Sequence, residues 1–268
     1  MKVNHPVLKY YGGKFRLAEW IIGFFPKHRH YVEPFGGGAS VLLSKEPSRL
    51  ETYNDLDQSL VNFFRVLRES PDELVKLINL TPWARTEYEF CLFAQSVDDP
   101  IEMARRLYFR LWMCFQGTLK QHKGNFRRHK LGRRPVPSDI RTEDLIAASE
   151  RLRLVQIENR DSLQLIREMD SPDTLFYLDP PYVHSTRTSK NAYTFEMSDD
   201  RHREFADLIR NLKGSAVLSG YPSELYAELF EKHGWQRIDR KAITNGGAAR
   251  TECIWLSPNV PGDLGLAP

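Results

Sequence analysis

The chain of 268 residues is 41% hydrophobic and 27% charged, the balance of a folded globular protein and not of a disordered one. Its length excludes a small disulfide-stapled scaffold, its 3 cysteines (Cys91, Cys114, Cys253) are odd in number and widely spaced, and no apolar run approaches the ~18 residues that cross a bilayer. With no apolar leader at the N-terminus, a soluble protein of a reducing cytoplasm is expected.

The first elements alternate between helix and strand. Leu17, Trp20, Ile21 and Phe24 recur at helical spacing between Phe15 and Phe25, and Pro26 stops the pattern. Tyr31 and Val32 form a short strand signal that runs into Glu33-Pro34-Phe35-Gly36-Gly37-Gly38-Ala39-Ser40. Val41 to Leu43 then begin a second helix, so the glycines stand at a strand-to-helix turn. Arg49 to Tyr53 reads as a strand ending at Asn54-Asp55. This βαβ beginning implies a parallel sheet.

From Leu56 to Leu80 and from Thr86 to Phe115 the pattern is helical, with Pro71, Pro82 and Pro100 near helix starts. Although the formal net charge is only +3, Met103 to Ser138 contains no acid but does contain Arg105, Arg106, Arg110, Lys120, Lys123, Arg127, Arg128, Lys130, Arg133 and Arg134. Gly117, Gly124, Gly132, Pro135 and Pro137 break any long helix there, leaving a loop or small hairpin that presents cations. Strand signals return at Leu154 to Ile157 and in the apolar run Thr174 to Leu178, which ends at Asp179-Pro180-Pro181-Tyr182. A helix at Arg201 to Leu212, a strand at Ser215 to Ser219, a helix at Ser223 to His233 and a hairpin from Arg237 to Leu256 turning at Asn245-Gly246-Gly247 complete the chain. The expected organisation is an α/β sheet domain, residues 1–65 and 149–268, interrupted by a mostly helical insertion with a basic tip, residues 66–148.

Two features carry chemistry. A Gly-rich turn after the first strand lets a ligand approach the backbone, and Asp55 follows at the distance from which a carboxylate can hold ribose hydroxyls. The spacing is neither GxGxxG nor a GxxxxGK[ST] phosphate loop, which favours a nucleoside without a polyphosphate. The competing explanation is a turn whose glycines serve only helix packing. At the second feature, two prolines turn the chain out of the sheet at a strand's carboxyl end. Asp179 and the Pro180 carbonyl can there accept the hydrogens of an exocyclic amine while Tyr182 offers an aromatic face. The competing explanation is a plain strand-ending turn.

Taken together, Leu8-Lys9-Tyr10-Tyr11-Gly12-Gly13-Lys14, the Val32 to Ser40 run, Asn54-Asp55 and Asp179-Pro180-Pro181-Tyr182 resemble, in order and spacing, the Dam-type N6-adenine DNA methyltransferases. Asn245-Gly246-Gly247 with Arg250 and Glu252 looks like that family's closing hairpin. The resemblance implies a Rossmann-like methyltransferase sheet with an inserted target-recognition domain, S-adenosylmethionine as methyl donor, and double-stranded DNA as partner. It implies that Tyr10, Lys14, Phe35, Gly37 and Asp55 line the donor pocket, that Asp161 lies near the donor adenine, that Asp179 touches donor and target, and that Lys9 contacts DNA. Asp179, Pro180 and Tyr182 would be the catalytic set.

Two departures stand out. Ala39 occupies the second glycine position of the family's Phe-x-Gly-x-Gly. Where enzymes that read GATC carry a Tyr-Asn-Gly-Leu-Cys-Arg-like run, this chain has Phe115-Gln116-Gly117-Thr118-Leu119-Lys120. Gln116 and Lys120 can read adenine or guanine edges, but with another geometry, so GATC is not implied as the site. Arg127, Arg128, Arg133 and Arg134 are expected to contact phosphates. The histidines and cysteines form no metal-ligand pattern, and a monomer or weak dimer without metal is expected. The same donor pocket would also suit adenine in RNA or a glutamine side chain. A noncatalytic DNA-binding scaffold is the rival from a different class.

Overall fold

A computed structural model of the chain describes residues 2–94, 97–114, 126–128, 136–186, 194–243 and 249–261. Among these, strands β1 (His30–Glu33), β2 (Leu50–Asn54), β3 (Val155–Glu158), β4 (Thr174–Leu178), β5 (Ser215–Gly220), β6 (Gln236–Ile243) and β7 (Ala249–Leu256) form one sheet in the order β3-β2-β1-β4-β5-β7-β6. All neighbours run parallel except β7, which is antiparallel to both β5 and β6. The hairpin read from Arg237 to Leu256 therefore exists, and its second strand enters the sheet ahead of its first. The turn assigned to Asn245-Gly246-Gly247 lies outside the described residues.

The sheet is covered on both faces, which is why β4, Thr-Leu-Phe-Tyr-Leu, is buried at every position. Successive side chains serve opposite cores: Tyr31, Leu175, Tyr177 and Val217 belong to one, Val32, Phe176, Leu178 and Leu218 to the other. The second core is closed by α8 (Ser162–Met169), α9 (Asp199–Ile209) and α10 (Glu224–Leu229). The first is closed by α1 (Ala18–Ile22), α2 (Ser40–Ser44), α3 (Gln58–Glu69), α4 (Pro71–Leu80), α5 (Arg85–Phe93), α6 (Pro100–Trp112) and α7 (Thr142–Leu152). Helix α3 starts where Asp57 accepts the Ser59 amide at 2.9 Å, and it buries Leu60, Phe63, Phe64 and Leu67 against α6 and α7. Pro71 and Pro100 open α4 and α6, where a missing N–H costs nothing.

Two helices are shorter than their periodicity suggested. The segment from Phe15 to Phe25 is helical only over α1, which lacks a side-chain cap and ends at Gly23. The helix begun at Ser223 stops at Leu229, and a 3-10 turn, Glu231–His233, ends at Gly234 with φ +79°. Cys91, Cys114 and Cys253 are buried free thiols. Among the described residues no helix is long and apolar enough to cross a membrane.

Candidate active site

The order β2-β1-β4 places the carboxyl ends of β1 and β4 side by side. The connections from these two strands leave in opposite directions, opening a crevice. The Gly-rich turn follows β1 and Asp179 follows β4, so the two motifs meet there although Gly37 and Asp179 are far apart in sequence. An open cleft enclosing about 1030 Å³, its mouth included, is lined by Tyr10, Lys14, Phe35, Gly37, Asp55, Asp161 and Asp179, every residue assigned above to the donor pocket.

The turn is shaped from beneath. A Cβ on Gly36 would lie 2.1 Å from the Tyr53 ring, and Gly37 stands at φ +49° with Tyr10 packed against its bare Cα side. The Tyr53 hydroxyl donates to the Gly37 carbonyl at 2.9 Å, and Asp55 Oδ2 accepts the Gly37 amide at 2.8 Å. Asn54, fully buried, donates to the carbonyls of Pro34 and Arg160 at 2.9 and 3.1 Å and accepts the Arg160 amide at 3.0 Å. It thereby ties the ends of β1, β2 and β3 together. Ala39 stands at φ 53°, ψ 29°, and is the described non-glycine residue with positive φ. The position that departs from the family's glycine is thus one whose backbone favours glycine.

Around this turn two carboxylates, those of Asp55 and Glu33, are held in little water. Burial pushes Asp55 up to about 6, against the amides of Asp57 and Gly37 that stabilise its charge. Glu33, at the end of β1, receives the Tyr31 hydroxyl at 2.7 Å and the Leu42 amide at 3.1 Å; burial pushes it up to about 8. Asp161 caps α8 by accepting the amides of Leu163 and Gln164, both at 3.1 Å, and pairs with Arg201, which also lines the cleft.

At the β4 end, Lys14 Nζ lies 3.0 Å from Asp179 Oδ2 and 2.7 Å from the Gly12 carbonyl. Burial lowers the Lys14 pKa, but the charge of Asp179 and then of Glu252 outweighs it, so the ammonium is held more firmly than usual. Burial also raises Asp179, with Lys14 opposing. Asp179 Oδ1 is buried and has no hydrogen-bond partner among the described residues. A buried acceptor left in this state is costly unless a ligand supplies the donor. Pro180 and Tyr182 do not line the cleft, whereas Pro181 does. Tyr182 is 4% exposed, with Lys14 Nζ 4.8 Å from its ring centre and the Tyr221 ring edge-on at 4.6 Å.

The DNA-contact residues are more scattered. Lys9 Nζ donates to the Cys114 carbonyl at 2.7 Å, and burial, with the nearby Arg127 charge, lowers its pKa to about 8. Arg127 pairs with Asp139, and its carbonyl receives Trp83 Nε1 at 3.1 Å; Arg128 is exposed. Gln116, Lys120, Arg133 and Arg134 lie outside the described residues. Among those described, no cluster of histidine, cysteine or carboxylate side chains could hold a metal ion.

Sequence reasoning gave Glu33 and Asn54 no role of their own, though both stand in motifs quoted above, and overlooked Arg201 and the Thr194-Phe195-Glu196-Met197 segment on the cleft wall. An acid ending the apolar Tyr31-Val32 run was a usable signal for Glu33. Nothing local marks Arg201 or the segment from Thr194 to Met197.

The chain is similar over most of its length to known DNA methyltransferases. The chain is 28% identical over 262 residues to the type II methyltransferase M1.LlaDCHI of Lactococcus lactis subsp. cremoris, covering 91% of each. It is 24% identical over 275 residues to the DNA adenine methylase of Escherichia coli (strain K12), covering 98% of each. It is 25% identical over 239 residues to the DNA N-6-adenine-methyltransferase of Escherichia phage P1, of which that match covers 31%. A family model matches residues 10–244, and the chain belongs to the D12 class of N6 adenine-specific DNA methyltransferases.

Proposed function

We propose that this chain transfers the methyl group of S-adenosylmethionine to N6 of an adenine flipped out of double-stranded DNA. One observation carries the reading: Asp179, whose buried Oδ1 has no hydrogen-bond partner among the described residues, lines the same cleft as the Gly37–Asp55 turn, so an amine acceptor and a nucleoside cradle share one space. The donor fits that cradle. The glycine turn offers backbone free of Cβ atoms, Asp55 can accept ribose hydroxyls, and Tyr10 and Phe35 supply apolar walls. Asp161 would serve the donor adenine.

When bound, S-adenosylmethionine supplies a methyl group already activated on a sulfonium. The residues of the chain then have to present the nucleophile, whose lone pair is conjugated into the adenine ring. Asp179 Oδ1 and the Pro180 carbonyl, once turned toward the cleft, would accept the two N6 hydrogens, aiming the lone pair and stabilising the positive charge that develops on nitrogen as the methyl leaves sulfur; one N6 proton is lost afterwards, which restores a neutral amine. The buried setting excludes water and strengthens both contacts. Extruding the base costs a few kcal/mol, offset in part by stacking. For Tyr182 to provide that face, the Lys14 ammonium that covers it must move aside.

Residues 66–148 would form the target-recognition insertion on the sheet domain of residues 1–65 and 149–268. In this reading Lys9 contacts DNA, Gln116 and Lys120 face bases, and Arg127, Arg128, Arg133 and Arg134 hold phosphates. The protein would act in the cytoplasm as a monomer or weak dimer, without a metal. The test is transfer of labelled methyl from S-adenosylmethionine to unmethylated duplex DNA, followed by digestion to nucleosides. Labelled N6-methyladenine is the expected product. Label only in RNA or protein amides, or donor binding without transfer, would overturn the reading.

A further inference from the structure

Lys14 is enclosed from several elements. Its side chain is 6% exposed, with Asp179 at 3.0 Å from the end of β4 and the face of Tyr182 at 4.8 Å. At the far end of that ring the Tyr182 hydroxyl donates to Glu252 Oε2 at 3.3 Å, bringing in a carboxylate from β7. Tyr221, just beyond β5, packs edge-on against Tyr182 and carries the Arg250 guanidinium 5.2 Å from its own ring centre. Two acids and one ammonium therefore surround a single tyrosine, and only one of the acids, Asp179, lines the cleft.

The proposed chemistry makes conflicting demands on Asp179. It pairs with Lys14 at rest, yet it has to accept hydrogens from an incoming amine and from the charge that grows there. A buried ammonium that loses its sole counter-ion is strongly unfavourable, so Lys14 would hold Asp179 back unless a second negative charge remained in place. Glu252, at the far end of the Tyr182 ring that Lys14 covers and outside ion-pair contact with it, can supply that charge across the ring. The Lys14 charge is stabilised by Asp179 first and by Glu252 next, in agreement with this arrangement.

We infer that Glu252 is a positioning residue, the second counter-ion of Lys14 and the anchor of the Tyr182 hydroxyl, which frees Asp179 to engage the target amine. The inference rests on the proposed methyl transfer. It assigns a task to the closing hairpin beyond completing the sheet.

Glu252→Gln separates charge from anchorage, because the amide oxygen still accepts the Tyr182 hydroxyl. Steady-state methylation of duplex DNA by the full chain, with S-adenosylmethionine affinity and thermal unfolding measured alongside, is expected to show kcat at least ~10-fold lower. KM for the donor and donor affinity should stay within about twofold. Glu252→Asp, which restores the charge, is expected to keep kcat within about threefold of the parent. Parent-like kcat in Glu252→Gln, or a loss of kcat matched by a loss of donor affinity, would overturn the inference. If the Gln variant lacks an unfolding transition, the Asp variant decides alone, and a tenfold loss in it overturns the inference as well. A parent chain that transfers no methyl group at all would instead overturn the proposed function.

Discussion

The carboxylate of Asp55 reaches back across the sheet end to accept the amide of Gly37 at 2.8 Å, fixing the position of a backbone unit that stands at φ +49°. One residue thus both shapes the turn and offers its remaining capacity to a ligand. Its pKa of about 6 makes this titratable near neutral pH. Above pH ~6 the ionised carboxylate can accept ribose hydroxyls; below it a proton competes. Isothermal calorimetry should find S-adenosylmethionine affinity falling as pH drops through about 6, with the fall absent in Asp55→Asn and affinity at least ~10-fold weaker in Asp55→Ala. A parent affinity that does not change with pH would remove Asp55 from the donor site.

The Lys14–Asp179 pair is buried, so deleting one partner should damage stability as well as turnover. Asp179→Ala is expected to abolish methylation and to cost ~3 kcal/mol or more, by leaving the ammonium without its nearest charge. The double change Lys14→Met with Asp179→Ala should recover much of the stability and none of the activity. Near-normal turnover by folded Asp179→Ala would refute the assignment.

Ala39 is left in a backbone region that penalises a Cβ. Ala39→Gly should relieve about 1 kcal/mol of that strain, partly offset by the flexibility glycine adds to the unfolded chain, for a Tm change of zero to a few degrees upward. Ala39→Val, β-branched and fully buried at this φ, should unfold the turn and lower Tm well beyond that range. Scanning calorimetry of the two variants is the check; a stabilised Val variant would contradict the strain.

Glu33 links stability to alkaline pH. Its carboxyl is raised from about 4.5 unfolded to about 8 folded, so the fold binds the proton more tightly than the unfolded chain does. This contribution is complete below pH ~4.5 and is lost as pH rises through about 8. Glu33→Gln should match the parent in urea denaturation near pH ~5 and exceed it near pH ~8.5, where the parent must hold a buried charge. A constant difference between the two proteins would argue against the linkage.

The basic segment makes a prediction about salt. Neutralising Arg127, Arg128, Arg133 and Arg134 should flatten the dependence of log affinity for duplex DNA on log salt by about 0.9 for each phosphate that the protein no longer neutralises. Arg127, already engaged by Asp139, should matter less than exposed Arg128. An unchanged slope on filter binding or fluorescence anisotropy would detach this segment from DNA.

Much of this molecule could be read from its sequence because its signals are local. The run Thr174 to Leu178 followed by two prolines is a buried strand and its stop, and the glycines after Val32 mark a turn whatever lies around them. What escaped depends on partners distant in the chain. Asn54 is visible as part of a motif, but its task in joining three strand ends is not, until Pro34 and Arg160 are brought to it. Arg201 gains meaning only because it pairs with Asp161 at the cleft wall, and Glu252 only because Tyr182 arrives from β4. The short extent of α1 has a local cause, a missing N-terminal cap with Gly23 close behind, but hydrophobic spacing alone extended that helix at both ends.

The pairing of β2 with β3 has a broader consequence. The chain departs from one strand at Asn54 and resumes in its immediate neighbour at Val155, in parallel register with Glu51 opposite Val155. Everything between, α3 to α7 and the cationic stretch, is a single crossover that begins and ends at the same margin of the sheet, away from the β1–β4 junction. Its helices close one core of the sheet and are bound to it. Turns between those helices can change length through evolution, or by design, while Gly37 and Asp179 keep their mutual register.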